Sequence, residues 1–312
     1  MSAILNIIAP VFALILVGYG VARTPKWTPD ATRYFNNFVF YVALPTLLFG
    51  KLASGEAFDG VEPLIVAAYF GGGLISMMLL MVFCRLAFNL SGEERALMGM
   101  GAGFSNTVLL GLPLIVLTFG DAALGPITTM IAFNTLILLP TTIILVEISR
   151  GRRDQKSIAK IALAPLAAMI RNPILIAIVA GAAWSFTGLG LALPLERFID
   201  LLSGAAGPCA LFVLGASLAE YKLAGQPAET ASMTVAKLIV HPILVWLLCT
   251  EVFALDALTT NVATMMAAVP VGATVFTVAQ QYRVFVGPVT SSILISTAIS
   301  AGTLAVVIGF LT

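Results

Sequence analysis

The chain has 312 residues, of which 60% are hydrophobic and 10% charged, and its formal net charge is +1. Soluble domains carry about 25% charged residues, so this composition excludes an ordinary soluble domain and indicates a protein embedded in a bilayer. The near-neutral charge gives no indication of nucleic-acid binding.

Ten hydrophobic runs are each long enough to cross the ~30 Å hydrocarbon core of a bilayer. In chain order they cover residues 3–22, 34–52, 61–87, 95–119, 122–148, 172–190, 198–219, 231–253, 257–281 and 285–311. The first run lacks a preceding basic region and a small-residue cleavage site. We therefore interpret it as a retained span rather than a signal peptide.

The basic residues divide unequally between the two sides that ten spans would create. Alternate loops, starting with the one after the first span, hold 14 of the 16 Lys and Arg residues, and the other side holds only Lys51 and Arg197. Because basic loops stay in the cytoplasm, this pattern predicts ten spans with both termini outside.

Gly and Pro recur at a nearly constant offset in the two halves of the chain. Pro10 precedes Gly18 by the same eight residues that separate Pro173 from Gly181. The Gly-Pro-x-Thr pattern at 125–128 recurs at 287–290. These matches predict two five-span repeats, 1–148 and 172–312, joined by a basic cytoplasmic linker at 149–171. An odd number of spans inverts the second repeat, as in secondary transporters.

The fourth span is interrupted near its midpoint by Asn106, Gly111 and Pro113. Proline stops one helix and suits the first turn of the next, so a half-helix is expected to start near Gly111–Pro113. Its free N–H groups would hold an anion at mid-membrane, beside the Asn106 amide. A simple proline kink is the alternative interpretation.

The ninth span has a matching interruption at Pro270, Gly272 and Thr274. Broken spans in corresponding positions of two halves indicate a transporter's binding site. Two half-helices entering from opposite faces would therefore direct their positive ends at one ligand.

Three further polar residues lie inside predicted spans. His241 is the only histidine and is a candidate for proton coupling, although a neutral ring bonded to a helix carbonyl is equally compatible with its position. Lys237 is expected to extend its ammonium group to the cytoplasmic interface. Asn134 either lines the site or bonds another helix, and its repeat counterpart is Ser296.

The segments 105–114 (SNTVLLGLPL) and 270–282 (PVGATVFTVAQQY) resemble the fourth- and ninth-helix motifs of the auxin efflux carrier family. This family includes plant PIN-formed exporters and bacterial permeases for malate- or malonate-like acids. Bacterial members often carry Asn where this chain has Thr274, and the large cytoplasmic loop of the long plant exporters is absent.

The resemblance implies an all-α integral membrane protein with the fold of bile-acid symporters and sodium/proton antiporters. Helices 1, 2, 6 and 7 would form a scaffold, and helices 3–5 and 8–10 a transport domain with broken crossover helices 4 and 9. It also implies a homodimer and, for a bacterial member, the inner membrane.

Together these features predict a secondary transporter of a small organic anion, first of all a dicarboxylate such as malate or malonate. Alternatives on the same fold are a carrier of auxin-like aromatic monocarboxylates, a passive uniporter or channel, and a sodium-coupled symporter. The sequence has no HExxH, Walker A or GxSxG motif, so we do not expect an enzyme. Cys84, Cys209 and Cys249 lack metal-ligand spacing, and neither a metal nor a cofactor is expected.

Overall fold

A computed structural model describes residues 2–54, 63–150 and 171–311. Within these ranges the regular secondary structure is entirely helical. One isolated β-bridge joins Ser105 and Val271. Most of the predicted basic linker, residues 151–170, lies outside the described residues, as does the start of the predicted third span.

The described residues form helices that we number in chain order. They are α1 (Ser2–Ala22), α2 (Pro29–Ala53), α3 (Leu64–Ala87), α4 (Gly92–Gly103), α5 (Thr107–Phe119), α6 (Asp121–Ser149), α7 (Pro173–Ser185), α8 (Leu193–Glu220), α9 (Pro227–Val252), α10 (Ala257–Ala268), α11 (Ala273–Tyr282) and α12 (Val286–Leu311).

Seven of these helices are long and apolar enough to cross a membrane: α1, α2, α3, α6, α8, α9 and α12. The predicted fourth span is divided into α4 and α5, the ninth into α10 and α11, and the sixth corresponds to the 13 residues of α7. The all-helical class is therefore confirmed. The ten-span inverted repeat stays a prediction.

The long helices expose apolar side chains on their outer faces. On α3, Met78, Leu79, Val82 and Phe83 are exposed although each is hydrophobic. Exposing so continuous an apolar surface to water would be unfavourable for a monomer, whereas lipid chains would cover it. The surface thus indicates an integral membrane protein, as the composition predicts.

The chain forms two compact units. The first comprises Met1–Val61, Val108–Thr129 and Ala168–Glu220, and the second comprises Glu62–Thr107, Met130–Ala167 and Tyr221–Thr312. The first unit thus contains α1, α2, α7, α8 and most of α5. The second contains α3, α4, α9, α10, α11, α12 and most of α6.

Two glycines bring helices of the first unit into close contact. A Cβ on Gly18 of α1 would lie 2.0 Å from the Phe212 carbonyl oxygen of α8. A Cβ on Gly181 of α7 would lie 2.9 Å from the Phe49 carbonyl oxygen of α2. Small residues permit this approach between membrane helices. Gly18 and Gly181, which the predicted repeat pairs with each other, therefore both permit close helix packing, one in α1 and the other in α7.

In the second unit, the first halves of both broken spans begin with side-chain caps. Ser91 and Glu94 form a reciprocal capping box at the start of α4. Asp256 accepts a hydrogen bond from the Thr259 backbone N–H at the start of α10. These caps satisfy N–H groups that the helix itself leaves free, and they fix where each half-helix begins.

Candidate functional site

Both broken helices have their interruptions in the second compact unit, and the two interruptions pair with each other. α4 ends at Gly103 and α10 ends at Ala268, and each continues as extended backbone. The Asn106 N–H donates to the Pro270 carbonyl at 3.0 Å, and the Gly272 N–H donates to the Phe104 carbonyl at 2.9 Å. The crossing is therefore a short antiparallel pair that satisfies backbone groups freed by the breaks.

The residue types at the second break explain its geometry. Pro270 has no N–H to leave unpaired, and its carbonyl is the acceptor for Asn106. A Cβ on Gly272 would lie 2.8 Å from the Ser105 carbonyl oxygen, so only glycine allows the two backbones to approach. The N–H of Val271 donates to Ser296 Oγ at 3.2 Å.

Asn134 holds the first break in a similar way. Its Nδ2 donates to Thr107 Oγ1 at 3.3 Å, while its repeat counterpart Ser296 accepts from Val271 in the second break. Each break is thus contacted by a polar side chain from the span that follows it in sequence. Asn134 Oδ1 accepts no hydrogen bond from the described residues.

Two buried amide atoms at the crossing have no hydrogen-bond partner among the described residues. They are Nδ2 of Asn106, a residue 6% exposed, and Oδ1 of Asn134, which is 5% exposed. A buried polar atom left unsatisfied costs about 1–3 kcal/mol. The crossing therefore retains one buried donor and one buried acceptor without partners among the described residues.

The start of α11 supplies positive potential beside these amides. The helix begins at Ala273, and Gly272 at its N-cap provides no side-chain hydrogen bond. The Val275 N–H donates to the Gly272 carbonyl at 3.1 Å. The other N–H groups of the first turn, on Ala273 and Thr274, carry a partial positive charge that favours a negative ligand. Thr274, in that first turn, is half-buried.

Gly111 and Pro113 belong to the first compact unit, whereas Asn106, Asn134, Pro270, Gly272 and Thr274 belong to the second. The helix after the first break begins with a π-helical turn at Thr107–Gly111, four residues earlier than the sequence suggests. This wider turn ends two residues before Pro113, in the stretch where the proline ring would otherwise collide with the preceding helical turn.

The expectation for Lys237 is wrong. Its side chain does not reach an interface: the residue is 0% exposed, its Nζ donates to the Ala267 carbonyl in the last turn of α10, and Nζ lies 3.1 Å from His241 Nδ1. The break at 269–272 leaves the carbonyls of that turn without helical partners, so they attract a cation. Sequence analysis missed this contact, for which the only sign was Lys and His four residues apart.

His241 is also fully buried, and its ring centroid lies 5.7 Å from that of Tyr69 on α3. The structure therefore places the histidine among helices of the second unit rather than in an open cavity. Within the described ranges no three His, Cys, Asp or Glu residues are grouped as a metal site.

Broken membrane helices that meet at mid-span are typical of secondary transporters. A family model described as "Membrane transport protein" matches residues 3–308. The chain belongs to this family, which is the auxin efflux carrier family that its motifs resemble.

Three relatives are similar over much of the chain. A Rhizobium meliloti (strain 1021) protein named "Putative malonate transporter" is 28% identical over 97% of this chain and 94% of its own length. The "Lysosomal cholesterol signaling protein" of Mus musculus is 27% identical over 93% of this chain but 35% of its own length. The "Uncharacterized transporter YfdV" of Escherichia coli (strain K12) is 24% identical over 75% of this chain and 74% of its own length. The family description and the names of the first and third relatives indicate a transporter rather than an enzyme.

Proposed function

We propose that this protein is a secondary transporter that moves a small organic anion across the membrane by alternating access. The observation that carries the proposal is the pair of unsatisfied amide atoms, Asn106 Nδ2 and Asn134 Oδ1, at a crossing of two broken helices. No buried Lys or Arg has to neutralise the substrate there, because helix N-termini provide the positive potential.

In this proposal the Asn106 amide donates to a substrate carboxylate, and the first-turn N–H groups of α11 share its charge. Thr274 adds a hydroxyl donor. Pro270 and Gly272 keep the second break extended, and Gly111 and Pro113 define the first turns of α5. Asn134 accepts a hydrogen bond from a hydroxyl or a protonated carboxyl of the substrate.

We infer that the substrate is a dicarboxylate such as malonate or malate. The relative named as a malonate transporter aligns over nearly its whole length with this chain, and a donor beside an acceptor suits a hydroxy acid or a half-protonated diacid. An auxin-like aromatic monocarboxylate is the second candidate, since the family includes such carriers.

The proposed architecture is two inverted five-span repeats with ten spans and both termini outside, in the inner membrane, as a homodimer. The equivalent close contacts of Gly18 and Gly181 support the repeat. The two compact units support a mechanism with a scaffold and a transport domain, although most of α5 clusters with the proposed scaffold helices.

The first test is binding to the purified protein. A ligand that binds the folded state raises the melting temperature, so malonate and malate are expected to stabilise the wild type. Asn106→Ala is expected to abolish this stabilisation and uptake into proteoliposomes, at unchanged fold. Asn37→Ala is the matched control, because Asn37 is an exposed helical asparagine of the other unit.

Pro113→Ala is expected to abolish uptake as well, because a continuous α-helix could then replace the widened turn. Wild-type uptake by both Asn106→Ala and Pro113→Ala would contradict the site assignment. Counterflow and saturation distinguish a carrier from a passive channel, and a strict requirement for a sodium gradient would identify the sodium-coupled alternative.

A further inference from the structure

Lys237 and His241 form a buried pair that the proposed anion site does not use. Lys237 Nζ donates to the Ala267 carbonyl, one residue before the end of α10, and contacts His241 Nδ1 at 3.1 Å. No carboxylate within the described ranges forms an ion pair with this lysine. The C-terminal end of α10 is therefore the negative partner of the ammonium group.

The second ring nitrogen of His241, Nε2, is buried and has no hydrogen-bond partner among the described residues. A Cβ built on Gly73 of α3 would lie 3.5 Å from His241 Nε2 and 3.6 Å from the carbonyl oxygen of Gly103, the last residue of α4. Both atoms thus border the same small space. Lys237 thus contacts the C-terminal end of α10, which carries partial negative charge. His241 Nε2 only borders the same space as the Gly103 carbonyl and forms no hydrogen bond with it.

The geometry allows the pair to bind one proton in addition to those already present on the neutral amine and the neutral imidazole. If Lys237 is an ammonium group, it donates to Nδ1 and the imidazole carries its hydrogen on Nε2. Transfer of that proton from Nζ to Nδ1 gives an amine and an imidazolium, with the same total charge. A second added proton would place two positive charges 3.1 Å apart in a buried site, which is strongly unfavourable.

Few other titratable groups surround the pair. On α3, Tyr69 faces the ring of His241. α10 and α12 contain no titratable side chain. Elsewhere on the packed helices, such residues lie toward the helix ends: Cys84, Arg85, Glu93, Glu94, Arg95, Glu229, Cys249 and Glu251.

We propose that Lys237 and His241 together form a proton-binding site in which one shared proton is held at the C-terminal end of α10, and that this proton is the ion coupled to transport. The bound proton stabilises the crossing by capping α10. Its release to water leaves both side chains neutral and weakens the cap. The coupling half of this inference rests on the proposed transport function, whereas the proton site itself does not.

The proton site is tested without any substrate, by the melting temperature of the purified full-length protein between pH 5 and pH 9. The difference between wild type and Lys237→Met is expected to change by about 2 °C or more across this range, because only the wild type exchanges the proton. Lys237→Arg is expected to keep the cap but lose the pH dependence, since a guanidinium does not deprotonate. Lys222→Met is the matched control at an exposed lysine, and its curve should follow that of the wild type.

If the melting temperatures of wild type, Lys237→Met and His241→Gln change with pH in parallel, the proposal is overturned and Lys237 has a purely structural role. If Lys237→Met does not fold, His241→Gln and Lys237→Arg decide by the same comparison. The double variant is expected to show no greater loss of pH dependence than either single variant, because one shared site is removed only once.

The coupling is tested in proteoliposomes that contain a pH-sensitive dye, with an imposed malonate gradient. Wild type is expected to move protons with malonate. In His241→Gln the proton flux is expected to fall about tenfold or more, while malonate still stabilises the purified variant. Unchanged proton movement by the variant would contradict the coupling. If wild type neither binds nor moves malonate, the proposed function fails, and the melting curves still decide the proton site.

Discussion

Gly272 sits where two backbones approach most closely at the crossing, and the space for a side chain is already filled. A methyl group there would lie 2.8 Å from the Ser105 carbonyl oxygen. Gly272→Ala is therefore expected to destabilise the protein by about 1–3 kcal/mol through overpacking and to abolish stabilisation by malonate. The measurement is the melting temperature with and without the ligand.

The matched control for this substitution is Gly302→Ala on α12, because a Cβ on Gly302 meets no atom within 4 Å. Alanine within a helix is more favourable than glycine by about 1 kcal/mol, so this control is expected to be neutral or slightly stabilising. Equal effects at both glycines would contradict the close approach at the crossing.

At the residue scale, the sequence was informative where a residue type has one strong consequence. Pro270 and Gly272 in an apolar run predicted the second break, and the structure has it at 269–272. Lys237 was not predictable in the same way. Its acceptor is the backbone carbonyl of Ala267, 30 residues away, and a backbone group has no sequence signature.

At the scale of the helix, Asp256 determines the start of α10. Burial alone would raise its pKa, but hydrogen bonds from Thr259 and from the Leu258 backbone outweigh burial and lower the pKa below its ordinary value of 3.8. A lowered pKa means that the ionised form stabilises the fold. This contribution is present above pH 3.8 and is lost as the pH falls through the folded-state pKa.

Asp256→Ala is accordingly expected to lower stability at pH 7 by about 1 kcal/mol, the usual effect of losing an N-cap. The difference in melting temperature from wild type should shrink below pH 3.8. Asp256→Asn keeps a good capping residue but lacks the charge, so at pH 7 it is expected to melt between Asp256→Ala and the wild type. The same deficit for Asp256→Ala at pH 7 and at pH 3 would refute a role for the charge.

The bounds of the helices were less predictable than their existence. Sequence analysis placed a half-helix start near Gly111–Pro113, whereas α5 begins at Thr107 with a π-helical turn. Proline specifies where an ordinary helix is interrupted. It does not specify whether a new helix N-terminus or a widened helical turn forms there, since the packing around the turn determines which of the two is more stable.

At the scale of the whole molecule, the two proposed repeats have matching turns. Thr24 after α1 donates its hydroxyl to the Val21 carbonyl at 2.7 Å, and Thr187 after α7 donates to the Trp184 carbonyl at 2.6 Å. Both threonines are exposed. Since 163 residues separate them, an offset within the range of the other repeat matches, they are equivalent positions in the proposed repeats.

An inverted repeat requires these equivalent turns to lie on opposite sides of the membrane. The distribution of basic residues predicts that Thr24 lies on the cytoplasmic side and Thr187 on the outside. In a variant that lacks Cys84, Cys209 and Cys249, we therefore expect an impermeant thiol reagent on intact cells to label Thr187→Cys but not Thr24→Cys. A permeant reagent, as the control, should label both. Labelling of both cysteines from the same side would exclude the inverted arrangement. With five spans in each repeat, equivalent turns of the two repeats must lie on opposite sides of the membrane.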